Sequence, residues 1–293
     1  VYDNNLKTYG HHLNNYSKSN YYWITFGGSN GQRIETVNSP NQPGLNPVVS
    51  FKDRFFEEPE VNNLGSTGLL WISQRIGLNE SYTFNKELKG YISGSNINFR
   101  FRFGCGSSYP SNTVWRLEDL NSNFIMNQQV QGVSGFSKIN LIYIGNNQYG
   151  VYYPLNPGKN SINFKASLPA SNGNTANSIG YYDYYECLFD RAFTADNNEL
   201  RFNSPDTSGT VEYRINNFNS QNVKIFEISD QTDISIVTPL SYSNSVLTFQ
   251  SNITSGNPKE YYTLGDNNYK TPVSFSGRVP NQNIKGDFAD GAS

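Results

Sequence analysis

The sequence predicts an all-β protein, with an antiparallel jelly-roll-like sandwich flanked by smaller β-sandwich regions. Aromatic residues make up 15% of the 293 residues, with 21 Tyr and 19 Phe against a single Met, and aromatic side chains pack well on pleated strands. The chain is rich in Asn and contains 25 Gly and 13 Pro, which end short strands in tight turns. Residues 97–103 alternate apolar and polar side chains, which is the period of a half-buried strand.

Strand-like segments divide the chain into three stretches and a tail. Residues 1–80 form an N-terminal β region that includes an aromatic strand at 21–26, followed by a glycine-rich turn. Residues 81–195 contain short strands at the spacing of a jelly-roll-like sandwich. Residues 196–275 predict a smaller, immunoglobulin-like sandwich, and the tail at 276–293 has the pattern of a linker. Because no long linker separates the stretches, the first can pack on the third, with the middle sandwich inserted between them.

Charge and hydropathy exclude two classes of protein. Lys and Arg total 22 and Asp and Glu total 24, so the chain lacks the basic stripe that nucleic-acid binding requires. It also lacks a run of about 18 apolar residues, so no membrane-spanning segment is predicted. The chain opens at Val1 without Met or a leader. We interpret it as a processed chain, secreted or held at the cell surface.

Cysteine and histidine chemistry is sparse. Cys105 and Cys187 can pair as a disulfide in an oxidising compartment, or both can be small buried apolar residues. The glycines around Cys105 suggest a nucleophile turn, but no helix follows, as a nucleophile elbow requires. His11 and His12 are adjacent, so in a strand they point to opposite faces and cannot serve one site together. The sequence therefore predicts no catalytic residue.

Acidic residues offer two further interpretations. Glu57, Glu58 and Glu60 form a cluster that can supply the paired carboxylates of glycoside hydrolysis, or they are simply solvated. Calcium prefers oxygen ligands. Three carboxylates in Asn-rich turns can supply them, which are those of Asp196, Glu199 and Asp266. A structural calcium ion is the one cofactor that the sequence suggests, and ordinary Asx turns are the alternative.

A tyrosine run suggests a ligand surface. Tyr181, Tyr182, Tyr184 and Tyr185 surround Asp183, and exposed aromatic rings stack on sugars in many jelly rolls. In a regular strand Tyr181 and Tyr185 share one face, and Tyr182 and Tyr184 share the other. The run therefore predicts either a glycan platform or a core strand.

Several segments, taken in order, resemble the region that precedes the catalytic domain in gingipain-type cysteine peptidases, a family that includes the sortase of type IX secretion in Bacteroidetes. They cover nearly the whole chain and are YWITFGGSNGQRI (22–34), FKDRFFEE (51–58) with LWI (70–72), NPGKN (156–160) with the aromatic strand 181–189, VKIFEISD (223–230), and SGNPKEYY (255–262) ahead of NIKGDF (283–288).

The resemblance implies a non-catalytic segment that scaffolds, anchors or inhibits a caspase-like domain beyond Ser293. Its partners would be that peptidase domain or other secretion and surface proteins. An inhibitory pro-domain would insert a basic loop residue, for which Lys159 and Arg191 are candidates. The alternative from a different class is a carbohydrate-binding surface module that uses exposed aromatic rings of the jelly roll.

Overall fold

The computed structural model describes residues 2–3, 8–9, 19, 21–24, 27–66, 68, 70–119, 122–135, 139–144, 151–152, 160–275 and 277. Their secondary structure is strand and turn, with three short 3-10 segments at Leu64–Ser66, Ala170–Asn172 and Asp266–Asn268. The predicted all-β class is confirmed, and the sheets are arranged as sandwiches. This part of the chain contains no helix long and apolar enough to cross a membrane.

The strands are numbered in chain order. The first eight are β1 (Tyr2–Asp3), β2 (Thr8–Tyr9), β3 (Glu35–Asn38), β4 (Pro47–Val48), β5 (Ser50–Glu57), β6 (Asn62–Asn63), β7 (Trp71–Ile72) and β8 (Arg75–Ile76). The next eight are β9 (Ser81–Glu87), β10 (Asn98–Cys105), β11 (Thr113–Asp119), β12 (Phe124–Val130), β13 (Asn140–Ile144), β14 (Val151–Tyr152), β15 (Ser161–Ser167) and β16 (Gly180–Ala192). The last seven are β17 (Glu199–Asn203), β18 (Gly209–Ile215), β19 (Val223–Glu227), β20 (Ser235–Thr238), β21 (Ser241–Ser243), β22 (Val246–Ile253) and β23 (Glu260–Gly265).

The first sandwich packs two antiparallel sheets. One has the order β13-β10-β16-β5, with β14 also pairing with β10 and β8 with β16, and the other has the order β12-β11-β15-β9. Phe99, Phe101 and Phe103 alternate along β10 and are all buried, as the period-2 pattern predicts. The ring of Phe103 stacks on Trp115 of the opposite sheet at a centroid distance of 4.5 Å. The aromatic bias of the composition is thus used to fill this core.

The second sandwich also contains strands from the N-terminal region. Its sheets have the orders β17-β23-β19-β20-β3 and β21-β22-β18-β4. β3 pairs in parallel with β20, and β4 pairs in parallel with β18, whereas β5 and β8 join the first sandwich. The loop between β3 and β4 is fixed by Gln250, whose side chain bonds the backbone N–H and C=O of Gln42 at 2.8 and 2.9 Å. β3, β4, β5 and β8 of the predicted 1–80 region are therefore divided between the two sandwiches, whereas β1 with β2 and β6 with β7 form separate two-stranded sheets.

The two cores meet at the end of β16. Phe51 of β5 lies in the second core, where its ring is 5.1 Å from Phe193 and 5.7 Å from Phe202. Phe193 follows β16 directly, and its carbonyl accepts a hydrogen bond from the backbone N–H of Asn216 at 2.9 Å. The chain therefore passes from one sandwich to the other through continuous packing and backbone hydrogen bonds.

The predicted aromatic strand at 21–26 is wrong at residues 21–24, which is the part that the structure describes. Residues 21–24 lie outside the strands, and Trp23 is 80% exposed. Gly27 and Gly28 both adopt positive φ, as a turn requires, yet β3 begins only at Glu35 and pairs with β20. The strand that follows the glycine-rich turn therefore pairs with the second sandwich.

We expect Phe101→Ala to lower the free energy of unfolding by about 3–5 kcal/mol, because it removes a fully buried ring from the first core. Phe124→Ala, at a ring that is 55% exposed, is the matched control, with an expected loss below about 1 kcal/mol. Urea denaturation followed by tryptophan fluorescence measures both values. Equal losses would contradict the assignment of Phe101 to the core.

Candidate functional site

A cleft of the described structure lies between the two sandwiches. It has a volume of about 700 Å³, within the range of roughly 300–1,000 Å³ that is usual for ligand sites, which often occur at domain interfaces. β5, β9 and the end of β16 form one side, and β17 and β23 form the other. Its apolar lining comes from six side chains, which are Phe55, Leu88, Phe189, Leu200, Ile228 and Leu264.

Charged and polar side chains surround this apolar lining. Arg191 pairs with Asp53 at 2.7 Å, and Lys89 pairs with Glu87 at 3.0 Å. Hydrogen bonding to Lys89, followed by its charge, lowers the pKa of the Glu87 carboxyl.

Two other lysines of the cleft, Lys86 and Lys270, differ from Lys89 in their contacts. The Lys86 Nζ lies 4.4 Å from the centre of the Phe55 ring, a cation–π contact, and Lys270 lies at the rim. No carboxylate of the described residues forms an ion pair with Lys86 or Lys270. An apolar lining beside lysines that are not ion-paired to described carboxylates is suited to binding a ligand.

The tyrosine run is packed inward because β16 contains a bulge. The register of β10 and β16 shifts between Arg102, opposite Tyr184, and Phe103, opposite Tyr182, so Asp183 is the extra residue. Tyr182 and Tyr185 therefore both enter the first core, instead of facing opposite sides as a regular strand requires. Tyr182, Tyr184 and Tyr185 are buried and Tyr181 is half-buried, so this segment offers no exposed platform.

Buried charges lie on the outer face of β16. Glu186 is 1% exposed and pairs with Arg54 of β5 and, at 3.2 Å, with Arg100 of β10. Arg102 pairs with Asp183 at 2.8 Å. Burial raises the pKa of Asp183 to about 6, partly offset by Arg102, and the nearby Glu58 and Glu60 raise it further.

The disulfide, one of the two alternatives that the sequence left open for the cysteines, is not formed. Cys105 and Cys187 are both buried, free thiols. Cys105 lies opposite Gly180, and Cys187 is seven residues farther along the strand that carries Gly180, a separation on the order of 20 Å at the rise of a strand. A disulfide needs Cα atoms within about 7 Å. Cys105 instead accepts a hydrogen bond from the Thr113 hydroxyl at 2.9 Å.

The predicted calcium ligands are each held by local hydrogen bonds. Asp196 and Glu199 close a tight turn with two backbone hydrogen bonds, and the Tyr262 hydroxyl donates to the Glu199 carboxylate. Asp266 accepts from the Ser220 hydroxyl and the Asn222 amide, which lowers its pKa. No group of three or more His, Cys, Asp or Glu side chains within the described ranges is arranged to hold a metal ion. A calcium site remains a prediction.

The remaining predicted residues do not form a catalytic centre in the cleft. Glu57 accepts a hydrogen bond from Tyr82 at 2.9 Å, and neither it nor Glu58 nor Glu60 lines the cleft. Arg191 lies in β16 and pairs with Asp53, so its prediction as an inhibitory loop residue is wrong. His11, His12 and Lys159 lie outside the described residues.

The cleft residues Lys86, Phe55 and Lys270 were missed by sequence reasoning. They come from segments far apart in the chain, and no local motif links them. The Lys86 position carries a partial signal, because it continues the apolar, inward-facing positions Tyr82 and Phe84 of β9.

Comparisons with known proteins show the fold alone. The chain resembles the crystal structure of dimeric latent PorU from Porphyromonas gingivalis, with a TM-score of 0.63 and 13% identity, over 84% of this chain and 23% of that chain. This chain therefore spans less than a quarter of that protein's length. The T13 viral particle of IBDV has a TM-score of 0.28 and 8% identity over 77% of this chain and 42% of the viral one, which is too low to support an argument. No family model and no curated protein matches.

We expect Asp183 to make stability depend on pH. Its pKa of about 6 in the folded chain exceeds the value of about 4 in an unfolded chain, so between these values the folded state binds more protons. The free energy of unfolding should therefore fall as pH rises from about 4 to about 6. Asp183→Asn should reduce this fall, whereas Asp190→Asn, at a more exposed ion pair with Lys52, should retain it. Urea titrations at several pH values test this, and parallel profiles for the parent and Asp183→Asn would contradict it.

We expect both cysteines to be unreactive in the folded protein because both are fully buried and burial raises the pKa of the Cys187 thiol. Ellman's reagent should detect no thiol in the native protein and two thiols after unfolding in guanidinium without reductant. If no thiol appeared until a reductant was added, a disulfide would be present and the assignment of free cysteines would be wrong.

Proposed function

We propose that this chain is a non-catalytic segment of a longer secreted or surface protein, in which it scaffolds, anchors or inhibits a gingipain-type cysteine peptidase domain. The observation that carries the proposal is the PorU-like fold, which extends over 84% of this chain and 23% of that solved chain. The same arrangement of β-sandwiches thus occurs as a minor part of a much longer polypeptide.

Two further observations support this role. The sequence resembles, in order and over nearly its whole length, the region that precedes the catalytic domain in gingipain-type peptidases. In the cleft, Asp53 and Glu87 are ion-paired, and the described residues of its lining include neither histidine nor cysteine. These described residues do not place a nucleophile beside a base.

The solved neighbour is described as latent and dimeric. By analogy, we propose that the segment holds its peptidase domain in an inactive or correctly placed state. The glycan-binding alternative has less support, because the tyrosines on which it was based are buried or half-buried.

The first test is to read the parent gene beyond Ser293. We expect a caspase-like domain with a catalytic His and Cys to follow. A stop codon or a sorting tail directly after this segment would contradict the peptidase link, and a glycan array would then be the next experiment.

If the peptidase domain is present, it should be produced alone and with residues 1–293, added in trans or joined in cis. Cleavage of chromogenic Arg and Lys substrates reports inhibition, and thermal unfolding of the peptidase domain reports scaffolding. Phe101→Ala provides a control with a damaged segment. If neither activity nor thermal stability responds to the segment in either form, the accessory role fails.

A further inference from the structure

Three sheets present an edge strand at the cleft. β5 ends one sheet of the first sandwich, β9 ends the other, and β17 ends a sheet of the second sandwich. Each contributes side chains to the cleft lining. An edge strand has one row of backbone N–H and C=O groups without a ladder partner, and such a row can accept an added strand.

The edges of β5 and β17 are partly occupied. The Arg54 N–H of β5 donates to the Asp53 carboxylate at 2.8 Å. In β17, Glu199 exchanges two backbone hydrogen bonds with Asp196, at 3.0 and 3.1 Å. Both strands therefore have fewer backbone groups available beside the cleft.

The edge of β9 is the most open of the three. Leu88 donates its N–H to Asn160, and the Glu80 carbonyl accepts from Leu168, so even-numbered residues direct their backbone groups toward β15. The pairing of β9 with β15 has no register shift. The odd-numbered residues Thr83, Asn85 and Glu87 therefore direct their N–H and C=O groups outward, and no described group bonds them there.

Charge selects the occupant of this edge. Lys86 lies at the inward-facing end of β9, and a lysine at such a position discourages indiscriminate strand pairing. It contacts the Phe55 ring and, after Lys89, also lowers the pKa of the neighbouring Glu87, but neither it nor Lys270 across the cleft forms an ion pair with a described carboxylate. Of the four carboxylates in the cleft lining, those of Asp53 and Glu87 are ion-paired, and those of Asp196 and Glu199 belong to the turn before β17. A strand that pairs here is therefore favoured when it brings its own carboxylates.

We propose that the free edge of β9 binds an extended acidic peptide as an added strand, with its carboxylates directed to Lys86 and Lys270. In an extended chain, side chains two residues apart share a face at roughly 6.5–7 Å spacing. Acidic residues at alternate positions can thus face the cleft while the remaining side chains face solvent. This binding role does not depend on a peptidase domain in the parent protein.

The probe is a fluorescein-labelled peptide of six residues, alternately Glu and Val, with blocked termini. Fluorescence anisotropy should show saturable binding to the 293-residue chain, and a peptide that alternates Lys and Val should not bind. Equal binding of the two peptides would overturn the proposal, because it would remove the charge selection. Absence of binding by the acidic peptide would overturn it as well.

Two N-methylated versions of the acidic peptide test the backbone pairing. One is methylated on every Glu nitrogen and the other on every Val nitrogen. Only one set of alternate N–H groups of an added strand faces β9, so one version should bind as the parent peptide does and the other should lose binding. If both bind equally well, or if both fail, the peptide is not bound as an added strand.

Two lysine substitutions locate the site on the protein. We expect Lys86→Gln and Lys270→Gln each to weaken binding about three- to fivefold, the size of a partly exposed ion pair. Lys165→Gln is the matched control, because Lys165 pairs with Glu118 on the outer face of β15, away from the cleft. If Lys165→Gln weakens binding as much as the other two, the effect is one of general charge and the site is wrong.

Discussion

The pairing of β16 with β10 and β5 is the interaction on which the rest of the structure depends. β16 is the longest of the described strands, with 13 residues, and it bonds β10 on one edge and β5 on the other. Its inward side chains, including Tyr182 and Tyr185, fill the first core. The chain that follows it enters the second core at Phe193. One strand thus sets the register of a sheet and the position of the neighbouring sandwich.

The outer face of β16 shows how such a central strand can carry charge. Desolvation of an isolated buried carboxylate costs several kcal/mol, yet Glu186 and Asp183 are both 1% exposed. Their cost is offset because arginines of the two flanking strands reach over β16, with Arg100 and Arg102 from β10 and Arg54 from β5. The ion pairs require β16 to lie between β10 and β5, so they favour this sheet over other pairings of the same strands.

Local pattern was sufficient to predict individual strands. The alternating pattern at 97–103 falls on β10, and the aromatic segment at 181–189 lies within β16. The inward turn of both Tyr182 and Tyr185 could not be predicted, since the bulge at Asp183 depends on the partner strand β10. For the same reason the sequence could not show that the cysteines lie at distant points of one sheet. Both features are set by long-range register, which a single sequence does not reveal.

The cleft could not be predicted, because its position follows from where the two sandwiches are joined. Phe51, Phe193 and Phe202 pack the sandwiches together at one point, while the edges of β9 and β17 remain unpaired with each other. Packing at the junction fixes the two walls, and the separation of the edges leaves room between them. An open edge beside an apolar lining normally invites aggregation. The lysine at the end of β9 restricts that risk, and the same charge makes the edge selective for a partner that supplies carboxylates.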